Sequence, residues 1–442
     1  MGRFARIVTV TVVAVASLVL AGFGPLLPGP SGSPAAGETP ATDPSVFLRP
    51  RDASSLGRSI EVLQERVAAV PGDARAWAGL GLAYLQQARI TGAPGYFPRA
   101  EGALERSLDI EAGNPQALLG MATLAAAEHH FEDALRLGIQ VRGLDPWDPD
   151  AHGVVGDALV ELGRYGRAFA SFQTMVDSRP DTASFSRVSY ARELVGDLPG
   201  AVRAMRRAAT FAGSAPDASW TRVHLGFLLL NQGRVRPASE AFREAAGFDP
   251  ASAQPLVGLS MVALARDDPP KARRLIEDAT ARTPSPEHAI ASADLAALAG
   301  DAEAAARGYD LARVGFRLLA NAGVDVSLER ALFASDHGDP RRALVDARAA
   351  WARRPSVHAA DAMAWALHAN GRDDEAAAYA RRARSLGTRE GLFLFHAGVI
   401  EISRDHRAGG RALLQRALEV DPWFSILGPP EARRLLGRVG AP

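Results

Sequence analysis

Cysteine is absent from this 442-residue chain. Disulfides, thiolate metal sites and cysteine nucleophiles are therefore excluded. The absence is compatible with an oxidising compartment and does not require one. Lysine occurs once, as Lys271, so nearly every basic residue is arginine. Neither sign of charge is in excess: 50 basic and 50 acidic side chains balance. The pI is about 7.2. Nucleic-acid binders carry a basic footprint, and this composition supplies none.

Catalytic constellations are also missing. The ten histidines are scattered. His129-His130 follows Glu128 without the i, i+4 histidine pair of a zinc helix, and reads as a solvated loop. Asp145-Pro146-Trp147-Asp148-Pro149-Asp150 lacks the glycine and the terminal glutamate of a calcium loop, and reads as a turn. Gly258-Leu259-Ser260-Met261-Val262 misses the second glycine of a nucleophile elbow. No glycine-rich phosphate loop follows a strand. The chain is expected to be no enzyme and to use no cofactor or metal.

What is present is a period. Ala100, Ala134, Ala168, Ala201, Ala238, Ala272, Ala305, Ala343, Ala376 and Gly410 recur at spacings between 33 and 38 residues. A second small-residue series runs ahead of it: Gly81, Ala122, Gly156, Ser189, Gly226, Ser260, Ala293, Ala331, Ala364 and Gly398. Such self-similarity marks stacked supersecondary units that grow without one central core. In the clearest unit, Val155, Gly156 and Leu159 share a helical face, and Gly163 ends the helix. Tyr165, Ala168, Phe172 and Met175 form the apolar face of a second helix. Pro180 closes the unit. Each unit is thus two short antiparallel helices whose small residues allow close approach.

The motif of aromatic or Leu, Leu-Gly, Tyr, Ala, Phe, Ala and Pro resembles the tetratricopeptide repeat. The resemblance runs over ten units from Ala74 to Phe424. Gly81-Leu82-Ala83-Tyr84-Leu85-Gln86-Gln87-Ala88-Arg89 and Phe395-His396-Ala397-Gly398 further resemble exported bacterial members of unassigned role. The family implies an all-α, right-handed α-solenoid of about ten helical hairpins with capping helices, and a protein-interaction role. Two departures stand out: Arg330 replaces the usual Leu, and the unit ending near Arg389 lacks the closing Pro.

Five segments follow. Residues 1–27 are a signal peptide or single membrane anchor: Arg3 and Arg6 precede an uncharged run from Ile7 to Leu27. Cleavage and retention both fit, and a buried core helix is the plain alternative. Phe23 stands where a lipid-bearing Cys would be, which argues against lipidation. Residues 28–52, rich in Pro, Gly and Ser, form a disordered tether. Residues 53–72 hold an N-terminal capping helix, 73–424 the repeat array, and 425–442 a closing helix and tail. Three insertions fall at Gln86 to Pro98, Gly213 to Asp217 and Leu318 to Val324, the last as a longer second helix.

In this family the first helix of each unit lines the concave face. The register places Leu82, Leu119, Asp157, Glu161, Tyr190, Val223, Phe227, Met261, Asp294 and Trp365 there. This groove is partly apolar and suits a helix or extended peptide. Its acidic residues, Asp150, Asp157, Glu161 and Glu193 with Glu287, Asp294, Asp325 and Asp361, favour a basic segment. Packing of the same side chains between repeats is the competing reading. Arg75 and Asn231 alone do not make the family's peptide-carboxylate clamp. The expected function is a non-enzymatic scaffold presented outside the cytoplasmic membrane. Its expected partners are other proteins, with the membrane reached through the N-terminal segment and no nucleic acid. A receptor-like module for a peptide, polymer or small ligand is the alternative.

Overall fold

A computed structural model describes residues 53–439. The anchor and tether assigned to residues 1–52 lie outside the described residues. Among the described residues there are α-helices, one 3-10 turn at Pro94–Tyr96 and no strand. No described helix is long and apolar enough to cross a membrane.

Helix α1 (Ala53–Ala69) packs on the first of ten hairpins. These pair α2 (Ala74–Thr91) with α3 (Phe97–Ile110), α4 (Pro115–Ala127) with α5 (Phe131–Leu144), and α6 (Pro149–Glu161) with α7 (Tyr165–Ser178). Next come α8 (Thr182–Leu194) with α9 (Leu198–Thr210), α10 (Ala215–Leu230) with α11 (Val235–Phe248), and α12 (Gln254–Ala265) with α13 (Pro269–Arg282). Then α14 (Pro286–Leu298) pairs with α15 (Ala302–Asn321), α16 (Ser327–His337) with α17 (Pro340–Arg353), and α18 (Val357–Ala369) with α19 (Asp373–Ala383). The pair α20 (Gly391–Ser403) and α21 (Arg407–Val420) ends the array, and α22 (Gly428–Val439) closes it.

Local chemistry sets the boundaries. Asn114, Asp148, Asp181, Ser214 and Ser285 each accept a backbone N–H at a helix start, satisfying donors that the helix leaves open. Proline sits in the first turn of most of these helices, where its missing N–H costs nothing.

The small residues are seats for large ones. A Cβ at Gly226 would lie 2.5 Å from the Phe242 ring. Phe242, fully buried, also fills the space over Gly258 of the next unit. Leu104 bridges Gly81 and Gly120 in the same way. One knob thus locks a hairpin internally and onto its successor, which is how stacked units gain a continuous core. Arg330, the odd residue of its unit, reaches Asp346 on α17 instead of packing.

The coil closes on itself. The hairpin turn of each of the first five units meets the segment entering the element six units on. Gly92 lies against Thr283 before α14. The backbone N–H of Asp325 donates to the Glu128 carbonyl at 2.9 Å. The N–H of Val357 donates to the Tyr165 hydroxyl at 2.7 Å across 192 residues. Gly196 meets Gly387, and Gly233 meets Pro422. Six units therefore make one turn, and successive turns touch along a seam of loops. Gly163 shows how close the seam is: its φ is +68°, and a Cβ there would lie 2.6 Å from the Pro355 carbonyl. Only glycine combines that dihedral with that approach.

The seam overturns one expectation. His129 is no solvated loop residue; it is 5% exposed, with Nδ1 2.8 Å from the Asp325 carbonyl. Beside it Arg354, 1% exposed, donates to both Glu329 oxygens at 3.1 and 3.0 Å. Its guanidinium lies 6.0 Å from the Phe131 ring centroid. Two insertions also belong here. Helix α15 has 20 residues and delivers Gly323 to Glu128. The excess before α10 brings Asp217 within 3.8 Å of Arg89.

Candidate functional site

First helices of neighbouring units touch one another as well as their partners, so they form the inner layer of the coil. The expected groove positions lie on them, and the structure sorts these positions into two groups. Leu82, Leu119, Val223, Met261 and Trp365 are buried between helices. Trp365 donates through Nε1 to Asp336 at 2.7 Å and stacks on His396 at 4.1 Å. Asp294 is fully buried and accepts from the Tyr309 hydroxyl at 2.9 Å. These six are packing residues rather than an open face. A six-unit turn brings the inward positions against neighbouring helices. Asp157, Glu161, Tyr190 and Phe227 form the second group, and together they line one chamber.

Three consecutive first helices wall this chamber. Helix α6 contributes Asp157, Val160 and Glu161, and α8 contributes Ser186, Arg187, Tyr190 and Glu193. Helix α10 contributes Trp220, His224, Phe227 and Asn231. The spacings within each helix, three or four residues, put these side chains on one face. Phe131, Ser189, Met205 and Leu228 complete the lining.

The chamber is apolar and aromatic with a few charged groups. Trp220 and His224 lie 4.1 Å apart, and Phe227 meets Phe242 edge-on at 5.0 Å. The charges are not balanced. Arg187, 5% exposed, is committed to Asp157, with Nη2 2.7 Å and Nε 3.0 Å from its carboxylate. Glu161 is 3% exposed, and its Oε2 has no hydrogen-bond partner among the described residues. The indole N–H of Trp220 is buried without an acceptor among the described residues. Burial pushes the Glu161 carboxyl up to about 7. Burial, then the nearby Glu390, push Glu193 up to about 8. Burial drops His224 to about 4, so it is neutral at pH 7.

The other acidic positions are mostly occupied. Arg179 pairs with Asp150, Arg353 with Asp325 at 2.7 Å, and His396 with Asp361 at 2.8 Å. Arg75 is exposed, away from Asn231 in the chamber wall. Sequence reading located five of the lining residues, Asp157, Glu161, Tyr190, Glu193 and Phe227. Arg187, Trp220 and His224 were missed, although the i, i+4 and i+7 spacing from Trp220 through His224 to Phe227 was a usable signal.

Residues 51–115 and 116–184 match the family model described as tetratricopeptide repeat. No curated protein matches the chain. Among solved structures, the APC/C hetero-tetramer Cut9-Hcn1 is 15% identical, with a TM-score of 0.45, over 90% of this chain and 75% of that one. TTC0263, a thermophilic TPR protein in Thermus thermophilus, is 18% identical, with a TM-score of 0.36, over 42% and 98%. YrrB, a TPR protein with an unusual peptide-binding site, is 17% identical, with a TM-score of 0.29, over 41% and 93%.

Proposed function

The chain is a tetratricopeptide repeat protein, and from that premise we propose that it is a non-enzymatic scaffold that receives segments of partner proteins on its inner wall. The observation that carries the reading is the chamber over α6, α8 and α10. It joins apolar and aromatic walls to two buried polar atoms, Glu161 Oε2 and the Trp220 indole nitrogen, that have no hydrogen-bond partner among the described residues. Partner recognition requires such convergence of apolar area with a few polar groups. The uncharged run from Ile7 to Leu27 behind Arg3 and Arg6 supports presentation outside the cytoplasmic membrane, anchored or secreted.

In-cell crosslinking and capture from the membrane fraction tests the scaffold. Wild type should retain specific envelope proteins that a folded Trp220→Ala/Asn231→Ala variant loses. Identical capture by both would remove the inner wall from the function. Protease digestion of intact spheroplasts tests the location, because a fully protected array would place it inside. The concave, partly open form of the chamber favours a second reading, a receptor-like module for a small ligand. A thermal shift in a ligand panel without any protein partner would favour it.

A further inference from the structure

The chamber holds more carboxyl groups than cations to pair with them. Asp157 has Arg187, whereas Glu161 has only the field of Arg354, a seam residue bonded to Glu329, and Glu193 faces Glu390. Tyr190, Trp220 and Phe227 line the same chamber, and their ring faces carry partial negative charge. Among the described residues no three His, Asp or Glu side chains converge to hold a metal ion. Carboxyl groups and aromatic rings lining one space suit a cation whose head meets carboxylates and whose stem meets rings. We propose that the chamber binds an organic cation, an ammonium or guanidinium head on an apolar stem, among Glu161, Glu193, Trp220 and Phe227. This rests on the inner wall being a binding surface and names the chemistry of what it receives.

The groups around the two glutamates set the pH behaviour. Glu161 faces Asp157 on its own helix, with Arg354, Glu329 and Ser356 across the seam. Tyr165 and Tyr190 lie within its field. Glu193 faces Glu390 and Asp421 from the second turn, with Tyr190 beside it. Empty, the two carboxyls keep their protons near neutral pH because burial opposes their charge. An arriving cation stabilises the carboxylates and expels those protons. Binding should thus tighten as pH rises from 6 to 8.5 and should release protons to the buffer.

Calorimetry on the full chain provides the test. The probes are phenethylamine against 2-phenylethanol, and agmatine. A third probe is acetyl-Leu-Arg-Phe-amide against the same peptide carrying citrulline. The cations should bind at least about tenfold tighter than their neutral counterparts, and tighten about tenfold between pH 6 and 8.5. Glu161→Gln/Glu193→Gln should abolish that preference. It should fold normally, because glutamine resembles the protonated acid already present. Trp220→Leu should weaken the aromatic amine most. Tighter binding of free amines than of the arginine peptide identifies a small-molecule source, and the reverse order a peptide source. Equal affinity for charged and neutral probes overturns the cation and leaves the wall as a binding surface. No binding by any probe overturns the cation as well. If partner capture is then also unchanged in Trp220→Ala/Asn231→Ala, the scaffold reading falls with it.

Discussion

Phe242 and Arg354 are both completely buried, yet they hold different parts of the molecule together. Phe242 sits within the repeat, its ring over two glycines 32 positions apart in the chain, Gly226 and Gly258. Leu104, Phe172 and Leu414 make the same kind of contact over the glycines of other units. Arg354 sits on the seam, beside His129 in the chain's second hairpin turn. The seam joins backbone groups, histidine and ion pairs to apolar contact, since Phe131, Val160 and Leu194 share one buried cluster with Val324, Val357 and Phe393 of the second turn. Loops cannot shed their polar groups, so a seam of loops must satisfy them across the gap. Stacking therefore depends on shape, and closure adds hydrogen bonding and charge to the apolar contact.

Four perturbations separate these contacts. Phe242→Ala should cost the most, about 3–5 kcal/mol, because a full ring leaves a cavity shared by two units. Urea unfolding would measure it, and a cost below about 1 kcal/mol would show the knob to be dispensable. Arg354→Met strands Glu329 in the seam and should cost about 3 kcal/mol. Adding Glu329→Leu should recover much of that loss. Hydrogen exchange should then show fast amides at 128–130 and 325–327 with the hairpin helices still protected. Equal loss of protection throughout the array would contradict a separable seam. Gly163→Ala should cost about 1–2 kcal/mol from the left-handed dihedral alone, concentrated at the same boundary.

The pH response is smaller, of order 1 kcal/mol per group. Glu128, Glu161, Glu193 and Glu390 are raised by burial from 4.5 to about 7 or 8. Between those limits the folded state holds protons that the unfolded chain has released, so stability falls as pH rises. His224, His337 and His358 are depressed to about 4, 3 and 4 by burial. They act oppositely, adding stability as pH rises towards 6.5, and contribute no further change above it. Melting temperature should therefore drop between pH 6.5 and 8.5. The slope should flatten in Glu161→Gln/Glu193→Gln, and an unchanged slope would remove these carboxyls from the stability balance.

The repeat layer was legible in the sequence because its information is local. Gly156, Ala168 and Phe172 recur in register, and their spacing states both the helix period and the seats. The longer second helix at Leu318 to Val324 was legible for the same reason. The seam was not. Glu128 and Asp325, or Tyr165 and Val357, share no motif, and their pairing depends on the accumulated rotation of six units. The candidate site fell between these cases. Asp157, Glu161, Tyr190 and Phe227 follow from helix register. The burial of Leu82, Met261 and Trp365 follows from how tightly the coil winds, which no single unit encodes.

The six-unit closure has a consequence for how such a chain can change length. In an open solenoid a unit can be added or lost with little effect beyond its two neighbours. Here the first five hairpin turns have assigned counterparts one revolution later. Deleting one hairpin from the middle would shift every later element out of phase by a sixth of a revolution. Tyr165 would then face a segment without Val357, and Gly163 one without Pro355. The array behaves as a wound spring whose adjacent coils are keyed, and its repeat number is part of its specification.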